Sequence, residues 1–338
     1  MEIYIHIGLP RTGTTFLQKK VFGVIDSKTD SGGRFIYNPS NIVDALLVAI
    51  EHHENGREDL FLEDKNRIHS TINGYSAKDT LLLSSEGFSV DPWHQHRPKN
   101  HILFKKIFPE AKILLVLRYQ PDWVLSIYKL SFLKGWCVTL DHFTNYKNER
   151  FIPFIRYSDS RRKATINLDG IKFAELVDSY VTSFGRNNVD IYFFEHFRAD
   201  PEGFVSTLMK SMKVNCGRIL ETIDFHERVN DGMLSRDIIW FTKIVTLNGW
   251  MHDLQFISSR TTIKRHLLFP LVIGSRLQQA IRNALLPIFY ACSRNFPESK
   301  DNLKSGIVYQ KLEKHFQQEN LGLLRHLDSQ YIPDKYLE

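Results

Sequence analysis

The sequence predicts an α/β fold, with a central parallel sheet flanked by helices and a mostly helical C-terminal third. Three observations predict it. Short apolar runs alternate with stretches of helical periodicity along the first two thirds of the chain. Those runs are apolar on both faces, as strands covered by helices on each side must be. The first run leads directly into a glycine-rich turn and a helical pattern, the local order of a strand, loop and helix built around an anion.

Each element follows from its own residues. Strands are expected at 2–8 (EIYIHIG), 80–86 (TLLLSSE), 112–118 (KILLVLR) and 189–195 (VDIYFFE). Helices are expected at 14–25, 42–53, 98–107, 121–134, 171–184 and 201–213. The last of these starts with Asp200, Pro201 and Glu202, an N-cap followed by a first-turn proline and a first-turn acid. The segments 26–39 and 144–170 read as polar loops, and the length of the second marks it as a wall of an acceptor site. Residues 233–326 read as mostly helical. We expect one domain over 1–338, with an α/β core at 1–215 and a helical part at 216–338 that shapes the acceptor site.

Composition narrows the function. At 43% apolar and 12% aromatic, the 338 residues can bury a large core, which excludes a disordered chain. A net charge of +6 suits a small anionic ligand and is too mild to argue for nucleic acid. Cys137, Cys216 and Cys292 are far apart, without metal-ligand spacing, which fits packed thiols in a reducing compartment. The longest apolar stretch, 266–294, is broken by Pro270, Arg276 and Arg282 and is too interrupted to span a bilayer. Its amphipathic character suits burial in the core, a partner helix or a peripheral contact with a membrane. The first strand starts almost at the first residue, so no cleavable leader is expected and the reading is a soluble, cytoplasmic protein.

The chemistry concentrates in Gly8-x-x-x-x-Gly13-Thr14-Thr15. Its glycines allow close backbone approach to an anion, and Pro10 stiffens the turn. Arg11 adds a forked set of charged donors, and Thr14 and Thr15 add hydroxyls at the helix start. A nucleoside triphosphatase would place lysine where Thr14 stands and would bring an aspartate to Mg²⁺ from another strand end. Both are missing, so the loop suits a ligand that needs less positive charge and no metal.

The stretch LPRTGTTF (9–16) resembles the 5′-phosphosulfate loop of the sulfotransferases that use 3′-phosphoadenosine 5′-phosphosulfate (PAPS). Many members have lysine at the position of Arg11; tyrosylprotein and many bacterial members have arginine. ILLVLRYQPDWVLSIYKLSF (113–132) resembles the element that holds the 3′-phosphate, with Arg118 at a strand end and Ser126 in the next helix. The segment 184–212 resembles the strand and helix that follow that element, and 309–327 resembles the C-terminal helix of carbohydrate-type members, whereas 228–236 lacks the R-K-G-x-x-G-D closure of the cytosolic aryl enzymes. The resemblance implies a P-loop-kinase-like sulfotransferase fold, PAPS as donor, PAP as product and no metal. It places Pro10, Arg11, Thr12, Gly13, Thr14, Thr15 and Phe16 on the donor, and Arg118 and Ser126 on its 3′-phosphate; Phe16, where aryl members have an adenine-stacking tryptophan, reads equally as a plain core aromatic.

The resemblance also implies a base for a hydroxyl acceptor, carried by glutamate in carbohydrate and tyrosyl members and by histidine in aryl members. Glu86, at the end of the strand 80–86, is the first choice, with His94 and His96 behind it. His6 reads as a packed strand residue. A glycan or glycolipid hydroxyl is the expected acceptor. Two other classes stay open on sequence alone, a metal-dependent nucleotide or small-molecule kinase and a non-catalytic nucleotide-binding protein of the same fold.

Overall fold

Strand formation follows the β-branched and leucine-rich runs. In the computed structural model the strands are β1 Glu2–Gly8, β2 Phe35–Tyr37, β3 Thr80–Ser84, β4 Lys112–Leu117, β5 Tyr146–Lys147, β6 Arg150–Phe151 and β7 Val189–Phe193. The structure describes residues 1–25, 29, 32–89, 99–133, 139–153, 165–215, 220–225, 303–304 and 306–338. Five strands form one parallel sheet in the order β2-β3-β1-β4-β7. Its register sets Ile5 opposite Leu83 on one side and Ile113 on the other. The helices are α1 Thr14–Phe16, α2 Ser40–Glu54, α3 Glu58–Ile72, α4 Asn100–Ile107, α5 Gln120–Leu133, α6 Leu140–Phe143, α7 Phe173–Phe184, α8 Phe194–Ala199, α9 Pro201–Ser211 and α10 Ile307–Asn320.

The chain divides into two compact units. The first comprises 1–123, 170–230 and 315–338; the second comprises 124–169 and 231–314. The sheet belongs to the first. On one of its faces Tyr4, Leu82, Leu114 and Val116 pack with Phe16, Leu17 and Phe22 and with Val205, Leu208 and Met209 of α9. The alternation of a strand turns Ile5, Ile7, Leu83, Ile113 and Leu115 to the opposite face, where α7 contacts β4 and α4 packs on α7. Each fully buried Leu, Ile or Phe side chain contributes about 1.5–3 kcal/mol by leaving water, so both faces are needed to hold a sheet this apolar. In the second unit, the short hairpin of β5 and β6 follows α6, and Tyr128 of α5 packs on Phe143.

The expected α/β architecture with a central parallel sheet is the one observed. Several elements differ. The strand expected at 80–86 stops at Ser84, because the Ser85 hydroxyl accepts from the Gly87 N–H and starts a 3₁₀ turn, Glu86–Phe88. The strand expected to reach 195 stops at Phe193, where α8 starts. The helix expected over 14–25 is α-helical only to Phe16, continues as a π turn over Leu17–Val21 and closes as 3₁₀ over Phe22–Val24. Six of these strands and helices were not anticipated. β2, β5 and β6 lie inside the stretches read as polar loops, α6 and α8 are short, and α3 buries only Phe61, Asp64 and Ile68, too sparse a stripe to stand out by periodicity. The Asp200 cap holds, accepting from the Gly203 N–H at 2.9 Å. Of the expected helical third, Ile307–Asn320 is helical and most of the rest lies outside the described residues, as do all three cysteines. No helix among the described residues is long and apolar enough to cross a membrane.

A polar seam runs under this sheet. Asn38, in a left-handed backbone conformation (φ 41°), donates to the Ser84 carbonyl and accepts from the Ser84 N–H, each at 2.7 Å. The Ser84 hydroxyl meets His6 Nδ1 at 2.7 Å and accepts from Gln18 at 3.0 Å. His6 is fully buried, and its Nε2 has no hydrogen-bond partner among the described residues. Burial pushes its pKa from 6.5 down to about 4. An unfolded chain therefore binds more protons than the folded one between pH 6.5 and 4, and stability falls as pH drops through that window, by up to about 3 kcal/mol. Denaturation at pH 7 and pH 4.5 should show this loss, and His6→Asn, which takes up no proton, should reduce the slope by that amount. A slope unchanged by the substitution would refute the assignment.

Candidate functional site

Because the strands of the sheet are parallel, their carboxyl ends lie on one rim, where ligands bind in open α/β sheets. Five chain segments leave the sheet there. β1 leads to the glycine loop, β2 to Asn38, β3 to Glu86, β4 to Arg118, and β7 to Phe194 and Glu195.

The loop is shaped by steric necessity at its two glycines. A Cβ on Gly8 would lie 2.5 Å from Thr14 Oγ1, so only glycine lets the loop fold back over the strand end. Gly13 is left-handed (φ 82°), and so is Arg11 (φ 68°), which as a non-glycine residue is strained there. Left-handed residues alternating along a turn are the backbone geometry that brings successive N–H groups together on an anion.

The carbonyls of the same loop are held by side chains. Ser89 Oγ donates to Gly8 O at 3.0 Å. Thr12 and Thr14 Oγ1 donate to Leu9 O at 2.6 and 3.1 Å. Trp123 Nε1 donates to Pro10 O at 2.6 Å, and Arg118 Nη1 to Arg11 O at 2.7 Å. Four consecutive carbonyls are thus engaged, and the loop has its acceptors occupied by the protein itself. Thr14 was expected to offer a hydroxyl to a ligand, and the resemblance put Thr12 on the donor; both are buried, and their hydroxyls staple the loop from within. Thr15, in the first turn of α1, is half-buried.

Charge gathers beside this loop. Arg11 and Arg118 are both half-buried. Burial lowers the Arg11 guanidinium's pKa, and Glu86 opposes that shift. Burial likewise lowers that of Arg118, with Asp122 and Glu195 favouring its charge and Arg11 and Arg198 repelling it. Arg118 also lies over the Phe194 ring, its guanidinium carbon 4.7 Å from the centroid. Two guanidiniums that repel one another at the edge of a core concentrate positive charge there. Glu86 supplies a carboxylate within electrostatic reach of Arg11, carried on the capped turn after β3.

Other expected residues take different places. Phe16 is buried in the core cluster, with ring centroids 5.4 Å from Phe197 and 6.0 Å from Phe225, the surroundings of a core aromatic. Ser126 is buried on α5 and belongs to the second unit. His94 and His96 lie outside the described residues. Among the described residues no group of three His, Cys, Asp or Glu could hold a metal ion. Trp123 and Ser89, which hold two of the loop carbonyls, were not anticipated. Their partners are 113 and 81 residues away, and no local pattern signals such contacts.

No protein-family model matches the chain, and no curated protein matches it. Solved structures show weak likenesses. A sulfotransferase from Alicyclobacillus acidocaldarius is 14% identical, with a TM-score of 0.43 over 76% of this chain and 96% of its own. A sulfotransferase domain from the curacin biosynthetic pathway is 13% identical, with a TM-score of 0.38 over 65% of this chain and 76% of its own. The mouse sulfotransferase SULT7A1, complexed with PAP, is 11% identical, with a TM-score of 0.32 over 68% of each chain. All three are sulfotransferases. Likenesses of this size establish no chemistry for this chain.

The backbone strain at Arg11 has a measurable consequence. Arg11→Ala and Arg11→Gly both remove the guanidinium, but only glycine accepts φ 68° without a penalty. The glycine variant should be the more stable of the two by about 1 kcal/mol in chemical denaturation. Equal stabilities would mean that the residue is not held in the left-handed region.

Proposed function

We propose that this protein transfers a sulfuryl group from PAPS to a hydroxyl acceptor of the glycan or glycolipid class. The observation that carries the reading is the loop at the end of β1. It has the glycines and the alternating backbone of a phosphate cradle, with Arg11 in it and Thr14 where a nucleoside triphosphatase needs lysine. A phosphosulfate matches that donor set better than a metal-bound triphosphate does. Arg118, adjoining the loop, supports a second anionic group on the same ligand, and Glu86 supports a base on the same rim.

In this reading the loop backbone and Arg11 hold the phosphosulfate and stabilise charge on the transferring group. The acceptor oxygen attacks sulfur in line as the bond from sulfur to the 5′-phosphate oxygen breaks. The acceptor proton passes to the Glu86 carboxylate, and PAP departs with the electron pair of the broken bond. Arg118 takes the 3′-phosphate, the group that separates PAP from AMP.

Calorimetry tests the donor side. PAP should bind at least about tenfold more tightly than AMP, since a charge-assisted hydrogen bond contributes roughly 1.5–3 kcal/mol, and Arg118→Ala should erase the difference. Equal affinities in the wild-type protein would sink the assignment.

Glu86→Gln tests the acceptor side. It keeps size and shape but accepts no proton, so turnover should fall by roughly 10²–10⁴ while PAP affinity holds. The acid limb of the pH–rate profile should vanish from whatever activity remains. Wild-type turnover in this variant would remove Glu86 from the mechanism.

A further inference from the structure

The segment Asp334–Tyr336 is folded against the carboxylates that flank Arg118. Lys335 Nζ lies 2.9 Å from Asp122 Oδ2 and 3.0 Å from Glu195 Oε1, and sits 4.8 Å from the centroid of the Tyr119 ring. Tyr336 is fully buried between Phe193 and Tyr119 and donates its hydroxyl to Glu195 Oε2 at 3.2 Å. The Tyr119 N–H donates to Glu195 Oε1 at 3.2 Å. The two carboxylates are therefore turned toward Lys335. Both belong to the anion site by position, Asp122 being followed by Trp123, which holds Pro10, and Glu195 preceded by Phe194, which carries Arg118 on its face.

We infer that Lys335 is a positioning residue for the anion site, occupying Asp122 and Glu195 so that neither captures Arg118 and the guanidinium stays on the Arg11 carbonyl with its charge directed to the ligand. Carboxylates beside an arginine compete with any anion it is meant to bind. A lysine fixed between them removes that competition without entering the site. Its own long side chain is held by the burial of Tyr336, the next residue, so its geometry does not depend on an exposed ion pair alone. Nothing in the sequence around 335 announces this role, since the contacts span 213 and 140 residues.

The inference rests on the donor reading only for the identity of the ligand, and the test separates the two. PAP and inorganic sulfate are titrated into the wild-type protein, into Lys335→Met, and into Lys335→Met combined with Asp122→Asn and Glu195→Gln. Lys335→Met should weaken both ligands by about tenfold, the effect of like charge returning to the site at short range. The triple variant, with neither carboxylate left beside Arg118, should regain wild-type affinity or better, a rescue that a merely structural role for Lys335 would not give. Unchanged affinity in a folded Lys335→Met, or a triple variant weaker than wild type, overturns the inference. Should Lys335→Met fail to fold, the triple variant decides alone by the same criterion. A wild-type protein that binds sulfate but not PAP would end the donor reading while the sulfate comparison still decides the role of Lys335. Binding of neither would end both.

Discussion

Hydrogen bonds to four consecutive loop carbonyls are the constraint on which the site depends. Gly8, Leu9, Pro10 and Arg11 each have a carbonyl accepting from a side chain, and three of the donors, Ser89, Trp123 and Arg118, come from other parts of the sheet rim. A peptide unit whose carbonyl is tied in one direction has its N–H directed the other way. An anion loop is therefore a backbone whose acceptors have been dealt with elsewhere, and the left-handed Arg11 is the torsional cost of that arrangement. The rest of the first unit places these donors. β3 and its capped turn present Ser89, and β4 presents Arg118 at its end and Trp123 in the first turn of α5.

The electrostatics follow the same logic of local cost. Two arginines half-buried side by side lose solvation and repel each other, and both guanidiniums are correspondingly easier to deprotonate. Glu86, Asp122 and Glu195 partly offset this. Offset is useful only while the acids stay out of direct pairing, and so their own contacts matter as much as those of the arginines. The polar seam of His6, Ser84, Gln18 and Asn38 has a different part, joining β1, β3 and the segment after β2 beneath the loop at a place where an apolar core could not satisfy the strand-end backbone.

What was legible in the sequence was local. Gly8 and Gly13 are spaced as a tight turn demands, and Arg118 ends a run of apolar residues, so the loop and its basic neighbour could be read from a few adjacent positions. Element boundaries failed where a side chain cut a pattern short, as Ser85 does after β3. Thr14 shows a deeper limit, since a hydroxyl at a helix start can face a ligand or the preceding carbonyl, and only the closeness of Gly8 turns it inward. Phe16 was ambiguous for the same reason, its burial being decided by Phe197 on α8. α3 escaped because three buried residues in fifteen leave almost no apolar rhythm. Trp123, Ser89 and Lys335 act through partners distant in sequence, which no single-sequence pattern encodes.

The π turn at Leu17–Val21 sits between the loop and the core. A π turn stores one more residue than an α turn over a similar rise, and such bulges recur near functional sites. Upstream of it, Thr14 is keyed to Leu9; downstream, Phe22 is keyed to the sheet face beneath. The surplus residue means that the two ends need not satisfy a common helical phase. Each can be rotated to suit its own neighbours, with the mismatch absorbed in the widened turn. An insertion or deletion within those five positions would then be taken up as a change of winding, leaving both the cradle and the hydrophobic face in place. That stretch is the joint at which chain length and site geometry come apart.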